Sequence, residues 1–229
     1  MKNIIDYNLI LIISIICLTT FIYCDRGLGK CKSINIKTVQ NFKPNQYLGK
    51  WYEQHRDKKM TFQKGDCVVA EYKLIDDGSK SGKLTISVTN SELELNESQE
   101  KFQYLETEEE KYKNKNKRRS VIGRGFGKYP TDPALLISFA PEFLDYFDFI
   151  KGPYWILDTD YDNYAFVYSC KEIFGLYHTE FFWILTREKN PSQKIVNSYI
   201  NKIVTEYGYS EDNFRRRTIQ GNEVCFDYK

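Results

Sequence analysis

The sequence predicts an all-β fold, a barrel or a sandwich, followed by one helix. Short runs of alternating apolar and polar residues are separated by glycine, proline and aspartate, a spacing typical of strands joined by turns. Phe, Trp and Tyr make up 16% of the 229 residues, and aromatic side chains favour strands over helices. The eight strand candidates are residues 50–57, 67–75, 83–90, 120–127, 134–140, 153–160, 164–171 and 176–187.

The alternation is clearest in residues 67–75 and 83–90. In the first run, one face consists of Val68, Ala70, Tyr72 and Leu74. In the second run, one face consists of Leu84, Ile86, Val88 and Asn90. A turn with the sequence Asp76-Asp77-Gly78 follows the first run, so we expect a hairpin with one face on the core and one face in water.

One amphipathic helix is predicted near the C-terminus. Asn190 can cap its start, and Pro191 suits its first position. Apolar residues follow at helical spacing from Ile195 to Val204, and Gly208 is expected to end the helix.

Residues 1–24 are predicted to be a signal peptide. Lys2 supplies positive charge, and the mainly apolar run 9–23 is shorter than the roughly 20 residues that span a membrane. We expect cleavage after Cys24, with cleavage after Thr20 as the alternative and an uncleaved membrane anchor as the rival interpretation. The rest of the chain, 25–229, is interpreted as one secreted, extracellular domain.

Four cysteines follow the signal peptide: Cys31, Cys67, Cys170 and Cys225. Disulfides are expected in an oxidising compartment, and four cysteines allow three pairings. No metal or other cofactor is expected, because the chain has no Cys-x-x-Cys and only His55 and His178 could add imidazole ligands. Asn96 begins an Asn-x-Ser sequence and is a predicted glycosylation site.

Charge is nearly balanced along the whole chain. There are 33 basic and 31 acidic residues, a net charge of +2, which argues against a nucleic-acid partner. Residues 92–119 are unusually charged and are predicted to form an exposed insertion between strands, with an acidic–basic docking element as the alternative. The aromatic residues of 143–150 would form an apolar lip at a barrel mouth or pack on a neighbouring loop.

Three motifs occur in order along the chain: Gly49-x-Trp51, Asp160-Tyr161 and a late Arg187. With a predicted signal peptide before them and a helix after them, they make the chain resemble the lipocalin family from residue 31 to about 225, apart from the charged stretch. The resemblance implies an eight-stranded antiparallel up-and-down β-barrel with the C-terminal α-helix packed outside. It also implies reversible binding and transport of a small hydrophobic ligand such as a lipid, steroid, retinoid or pigment.

These motif residues have physical roles in such a barrel. Trp51 is expected to plug one end, and Arg187 to lie over its indole and bind backbone carbonyls there, a contact that contributes roughly 1–2 kcal/mol. Asp160 and Tyr161 are expected to shape a turn, because aspartate caps turn amides.

The disulfide pairing is taken from the resemblance. It implies Cys31–Cys170 and Cys67–Cys225, each stabilising the fold by roughly 2–5 kcal/mol.

Strand alternation also predicts the cavity. Counted from Arg187, the residues Leu185, Trp183, Phe181 and Thr179 point inward. In lipocalins the positions of Tyr72, Asn90 and Trp183 line the ligand pocket, which agrees. The predicted ligand-binding residues are Val68, Ala70, Tyr72, Leu84, Ile86, Val88, Asn90, Phe181 and Trp183, unless these side chains simply fill the barrel.

The sequence leaves two other functions to consider. Some lipocalins are enzymes that use a free cavity cysteine, but every cysteine of the mature chain is expected in a disulfide, and His178 is expected to face outward. We therefore expect no catalysis. An interaction module acting through residues 92–119 or 215–217 on a membrane or receptor is the other alternative. A monomer is expected.

Overall fold

The computed structural model describes residues 27–28, 30–31, 36–93, 118–221 and 225. The predicted signal peptide, the glycosylation site at Asn96 and most of the charged stretch lie outside these residues. Within the described parts of the chain, no helix has the length and apolar character needed to cross a membrane.

Nine antiparallel strands form one sheet in the described residues. They are β1 (Gly27–Leu28), β2 (Gly49–Arg56), β3 (Asp66–Asp76), β4 (Thr85–Leu93), β5 (Arg118–Phe126), β6 (Ala134–Ser138), β7 (Gly152–Thr159), β8 (Tyr164–Ile173) and β9 (Tyr177–Thr186). Strands β2 to β9 pair in chain order, and β9 pairs with both β8 and β2. The sheet therefore closes into the eight-stranded up-and-down barrel that was predicted, and β1 extends it alongside β9.

One strand overruns the barrel. Gly49, the first residue of β2, pairs with Tyr72 of β3, so the rest of β3 has no β2 neighbour. Leu74 lies in this overrun and is 41% exposed. The prediction that Leu74 points into the interior is wrong, because strand parity is meaningful only where the barrel wall is closed.

In the described residues, two α-helices accompany the barrel. The short α1 (Pro44–Tyr47) leads into β2, and α2 (Gln193–Lys202) continues into one π-helical turn, Ile203–Tyr207. The second helix packs on the outer wall of β7, β8 and β9. The residues buried between them include Leu157, Phe166, Phe182, Ile184, Val196, Ile200 and Ile203.

The start of α2 differs from the prediction. Ser192, not Asn190, is the N-cap, and its hydroxyl accepts a hydrogen bond from the amide of Ile195 at 3.4 Å. The Asn190 side chain instead accepts a hydrogen bond from Arg217, so it is not available to the helix. Gly208 ends the helix at φ 71°, the left-handed conformation that glycine adopts without strain.

Both disulfides have the pairing that the resemblance implies. Cys31 is bonded to Cys170 of β8, and Cys67 of β3 is bonded to Cys225 near the C-terminus. They fasten the two ends of the domain to the barrel wall.

Candidate ligand-binding site

One end of the barrel is sealed by Trp51 and Arg187. The indole is completely buried and donates a hydrogen bond to the carbonyl of Tyr47 at 2.8 Å. The guanidinium carbon of Arg187 lies 3.7 Å from the centre of the indole ring. This distance is well within the range of a cation–π contact.

Arg187 also ties together the backbone at this closed end. It donates hydrogen bonds to the carbonyls of Gln46 and Lys50, both at 2.8 Å, and of Tyr161 at 3.0 Å. Gly49 beside it has φ +93°, and a Cβ there would lie 3.4 Å from the guanidinium. Glycine is required because few other residues adopt this backbone conformation.

The Asp160-Tyr161 motif forms the turn between β7 and β8. Asp160 accepts hydrogen bonds from the amides of Asn163 and Tyr164 at 2.8 and 3.0 Å. Tyr161 has φ +70° and accepts from Arg187 through its carbonyl. Both residues thus shape the closed end and lie away from the cavity.

The other end of the barrel holds a cavity of about 570 Å³. Seven of the nine predicted ligand-binding residues line it: Val68, Ala70, Tyr72, Val88, Asn90, Phe181 and Trp183. The inward residues Leu185 and Thr179 line it as well. Strand alternation therefore identified the correct face of β3, of β9 and of the C-terminal part of β4 from Val88 onward.

Leu84 and Ile86 do not line the cavity, so these two assignments are corrected. Ile86 points inward as expected, and both side chains are buried in the packed core at the closed end. The sequence pattern gives the face of a strand but not the depth along the barrel axis. Among the described residues, the interior is packed with side chains at the closed end and hollow toward the other end.

A chain of three hydrogen-bonded tyrosine hydroxyls lies between the packed core at the closed end, called the floor below, and the cavity. The hydroxyl of Tyr154 is 2.9 Å from that of Tyr47 and 2.6 Å from that of Tyr72. Burial raises the pKa of Tyr72 to about 12, and it raises the pKa of Tyr47 and of Tyr154 well above the usual value. All three hydroxyls therefore stay protonated, and Tyr72 and Tyr154, which line the cavity, offer neutral polar contacts to a guest.

Asn90 adds a polar atom that has no partner. Its side-chain oxygen is buried, and no described residue donates a hydrogen bond to it. A buried acceptor without a partner costs about 1–3 kcal/mol. Because Asn90 lines the cavity, a polar group of a bound ligand could satisfy it.

Two carboxylates also line the cavity, on the β2 and β4 side. Glu53 accepts hydrogen bonds from Arg56, from Gln63 at 2.9 Å and from Thr218 at 2.7 Å. Glu92 accepts one from the amide of Gly65 at 3.0 Å, and burial raises its pKa. Protein partners thus already occupy these acidic groups.

The aromatic segment predicted as a lip borders the cavity opening. We define the lip as residues 139–151, of which Phe139, Ala140 and Ile150 line the cavity. Between them, Phe143, Tyr146 and Phe149 are 78%, 89% and 73% exposed. These exposures favour an apolar lip at the mouth over packing against a neighbouring loop.

His178 lies on the outer side of β9. It pairs with Gly27 of β1 and is only 8% exposed, and it is not among the cavity-lining residues. It therefore does not reach a bound ligand.

Sequence reasoning missed Tyr154, Glu53 and Lys171, which also line the cavity. Tyr154 lies on β7, where Trp155 and Leu157 of the opposite face pack under α2. Because both faces of β7 are apolar, alternation could not show which one points inward. A β-bulge between Ile156 and Asp158 also shifts the register of β7. Asp158 faces the outer helix through Lys202, so parity counted back from the turn at Asp160 would have placed Tyr154 on the wrong face.

These features define a barrel sealed at one end and hollow at the other, the form of a small-molecule binding protein. The profile of the Lipocalin / cytosolic fatty-acid binding protein family matches residues 142–220. Apolipoprotein D of Mus musculus is 34% identical over 202 residues, 88% of this chain and 87% of that protein. Apolipoprotein D of Macaca fascicularis is 30% identical over 203 residues, with the same two coverages of 88% and 87%. Lobster apocrustacyanin A1 has a TM-score of 0.58 and 22% identity, and the match covers 85% of this chain and 91% of that one. The chain belongs to the lipocalin family.

Proposed function

We propose that this lipocalin reversibly binds one small hydrophobic molecule in its barrel and carries it through an aqueous compartment. The observation that supports this is the cavity of about 570 Å³, lined mainly by aliphatic and aromatic side chains. Removing apolar surface from water contributes roughly 25 cal/mol per Å², so a largely enclosed guest binds without a covalent step. Lipids, steroids, retinoids and pigments remain the candidate classes.

Polar atoms at the inner end of the cavity would bind a guest that carries a neutral polar group at that end. Tyr72, Tyr154 and Asn90 are placed to meet one neutral polar group, because the phenols stay protonated and the Asn90 oxygen has no partner among the described residues. The proposed ligand-binding residues are Val68, Ala70, Tyr72, Val88, Asn90, Tyr154, Phe181 and Trp183.

Tryptophan fluorescence tests this proposal. Trp183 lines the cavity, Trp51 is sealed in the floor and Trp155 packs against the outer wall, so a bound guest should quench Trp183 selectively. We test a panel of lipids, steroids, retinoids and pigments, and we expect at least one compound to quench the fluorescence saturably at micromolar concentration. Trp183→Phe should remove most of the quenching while native mass spectrometry still detects the complex. Failure of every class to bind would contradict the proposal.

A cavity-filling variant gives a second test. Val88 lines the cavity, whereas Ser87 precedes it on β4 and points to the opposite face. Val88→Phe should weaken binding by at least tenfold, and the matched control Ser87→Phe should bind as the wild type does. Equal affinities in the two variants would place the guest outside the barrel.

We propose binding without catalysis. The four cysteines after the predicted signal peptide are all disulfide-bonded, so none of them offers a thiolate. Incubating a lipid panel with the protein and analysing it by chromatography should return every lipid unchanged. Conversion of any lipid would contradict this part of the proposal.

We propose that the protein is secreted and monomeric. The apolar segment 9–23 supports export, and the two disulfides suit an oxidising compartment. Expression in a eukaryotic host should release a protein that begins near residue 25. Light scattering should give the mass of one chain, and retention in the cell or a stable dimer would contradict these expectations.

A second candidate function is contact with a lipid surface during loading. The exposed aromatic rings of Phe143, Tyr146 and Phe149 lie in the lip that borders the opening through which an apolar guest would pass, and such rings favour membrane interfaces. Phe143→Ser/Phe149→Ser should reduce binding to phosphatidylcholine vesicles in flotation assays. Ile122→Ser, on the barrel wall and similarly exposed at 68%, is the control. Equal flotation of both variants would contradict lip-mediated contact.

A further inference from the structure

We propose that the cavity prefers an amphiphile with an anionic head, such as a fatty acid, and that Lys171 holds the carboxylate at the mouth. This inference rests on the proposed carrier function and specifies the ligand class. It starts from an ammonium group in the cavity wall whose partners among the described residues are neutral carbonyls.

Lys171 points into the barrel from β8. It lines the cavity together with Ser169, two residues earlier on the same face, and with Thr179, its direct partner on β9. Directly paired residues have Cβ atoms about 4.5–5.5 Å apart. One ammonium and two hydroxyls therefore gather on the β8–β9 side of the opening, and these are donors that suit a carboxylate.

The ammonium group of Lys171 has no acidic partner in the described part of the chain. It donates hydrogen bonds to the carbonyls of Phe149 and Lys151 at 2.6 and 2.9 Å, and no described carboxylate lies within ion-pair distance. The neighbouring Glu172 lies on the opposite face and accepts a hydrogen bond from the amide of Cys31. An ammonium has three N–H groups, so one remains for a ligand.

The other charges in the cavity wall determine the orientation of the guest. On the β2 and β4 side, the cations already have carboxylates beside them: Arg56 bonds Glu53, and Arg119, which also lines the cavity, lies directly opposite Glu92 in the β4–β5 pair. A guest carboxylate would have to compete with Glu53 and Glu92 on that side, and the described residues at the inner end offer it neutral phenols and an amide. An acidic amphiphile would therefore enter tail first and leave its head at Lys171.

The test compares palmitate with hexadecanol, which share a chain length and differ in the charge of the head. The affinities are measured at concentrations at which neither lipid aggregates. The ratio of the palmitate affinity to the hexadecanol affinity is then compared between the wild type and its variants. Lys171→Gln keeps donors for the two lip carbonyls and removes the charge. A hydrogen bond to a charged group is worth roughly tenfold or more in affinity, so the ratio should fall about tenfold in Lys171→Gln. Lys194→Gln, an exposed helix position, changes net charge equally and should leave the ratio unchanged.

Salt gives a second measurement on the wild-type protein alone. High salt should weaken palmitate binding and leave hexadecanol binding unchanged, because only the former includes a charge–charge contact at a partly exposed site. An unchanged ratio in Lys171→Gln overturns the inference, as does a ratio that falls only in Arg119→Gln. Hexadecanol binding with no preference for palmitate would overturn the inference while the carrier function stands. Binding of neither lipid, nor of the rest of the panel, would refute both.

Discussion

Replacing Arg187 by methionine tests the seal at the closed end. The side chain donates hydrogen bonds to three backbone carbonyls at 2.8–3.0 Å, and its guanidinium covers Trp51. Each hydrogen bond contributes about 1 kcal/mol, and the cation–π contact adds about 1 kcal/mol at a half-buried site. We therefore expect Arg187→Met to lower the free energy of unfolding by about 4 kcal/mol.

Urea unfolding followed by tryptophan fluorescence and circular dichroism, with both disulfides intact, measures this loss. Arg187→Lys keeps the charge but not the planar fork that reaches several carbonyls, so it should recover only a minor part of the stability. The exposed Lys194→Met should stay within about 0.5 kcal/mol of the wild type. A loss below about 1 kcal/mol in Arg187→Met, or full stability in Arg187→Lys, would refute the reasoning.

Three further predictions concern stability. Burial lowers the pKa of His55 from its usual value near 6.5 to about 4. Because the folded state disfavours protonated His55, stability should fall by about 3 kcal/mol as the pH drops from about 6.5 to about 4. In a pH series of urea unfolding, His55→Gln should flatten this dependence, and an unaltered slope would count against it. Ser192→Ala should lower the free energy of unfolding by about 1 kcal/mol in the same assay, and Asn190→Ala should lower it by less, because Ser192 is the cap. The reverse order would identify Asn190 as the cap. Cys67→Ala/Cys225→Ala removes a link between residues 158 positions apart, and calorimetry should show a loss of about 4–5 kcal/mol; a loss below about 1 kcal/mol would contradict this.

The part of the fold that could be predicted is the part where one face of a strand meets water. On β4, the polar residues Ser87 and Thr89 lie on either side of the buried Val88. This alternation predicts which face of the strand points inward. The closed end could be predicted for another reason. Gly49 is required by its backbone conformation, and Trp51 and Arg187 are required by the contact between the indole and the guanidinium. Because each position needs a particular residue type, the three residues form a motif that can be recognised in the sequence.

The unpredicted features depend on contacts between distant parts of the chain. Leu84 and Val88 have the same pattern in sequence, yet one belongs to the packed floor and the other to the cavity. The difference arises from side chains that other strands contribute at each depth. Tyr154 was hidden because α2 covers the outside of β7 and removes the polar face that alternation needs.

The position of the cap at α2 shows a similar limit. Asn190 and Ser192 are both suitable capping residues, and a contact with Arg217 from the C-terminal segment takes up the first of them. Local sequence preferences could not reveal this competition, because Arg217 lies far beyond the helix.

The seal formed by Arg187 has a kinetic consequence. Since its bonds hold the backbone of α1, of β2 and of the β7–β8 turn together, the described part of the barrel is closed at this end, and a guest would leave by the opposite end through which it entered. Residence time should then depend on the loops at that opposite end and not on the floor. A guest longer than the hollow would protrude, so the depth of the barrel discriminates between molecules by length.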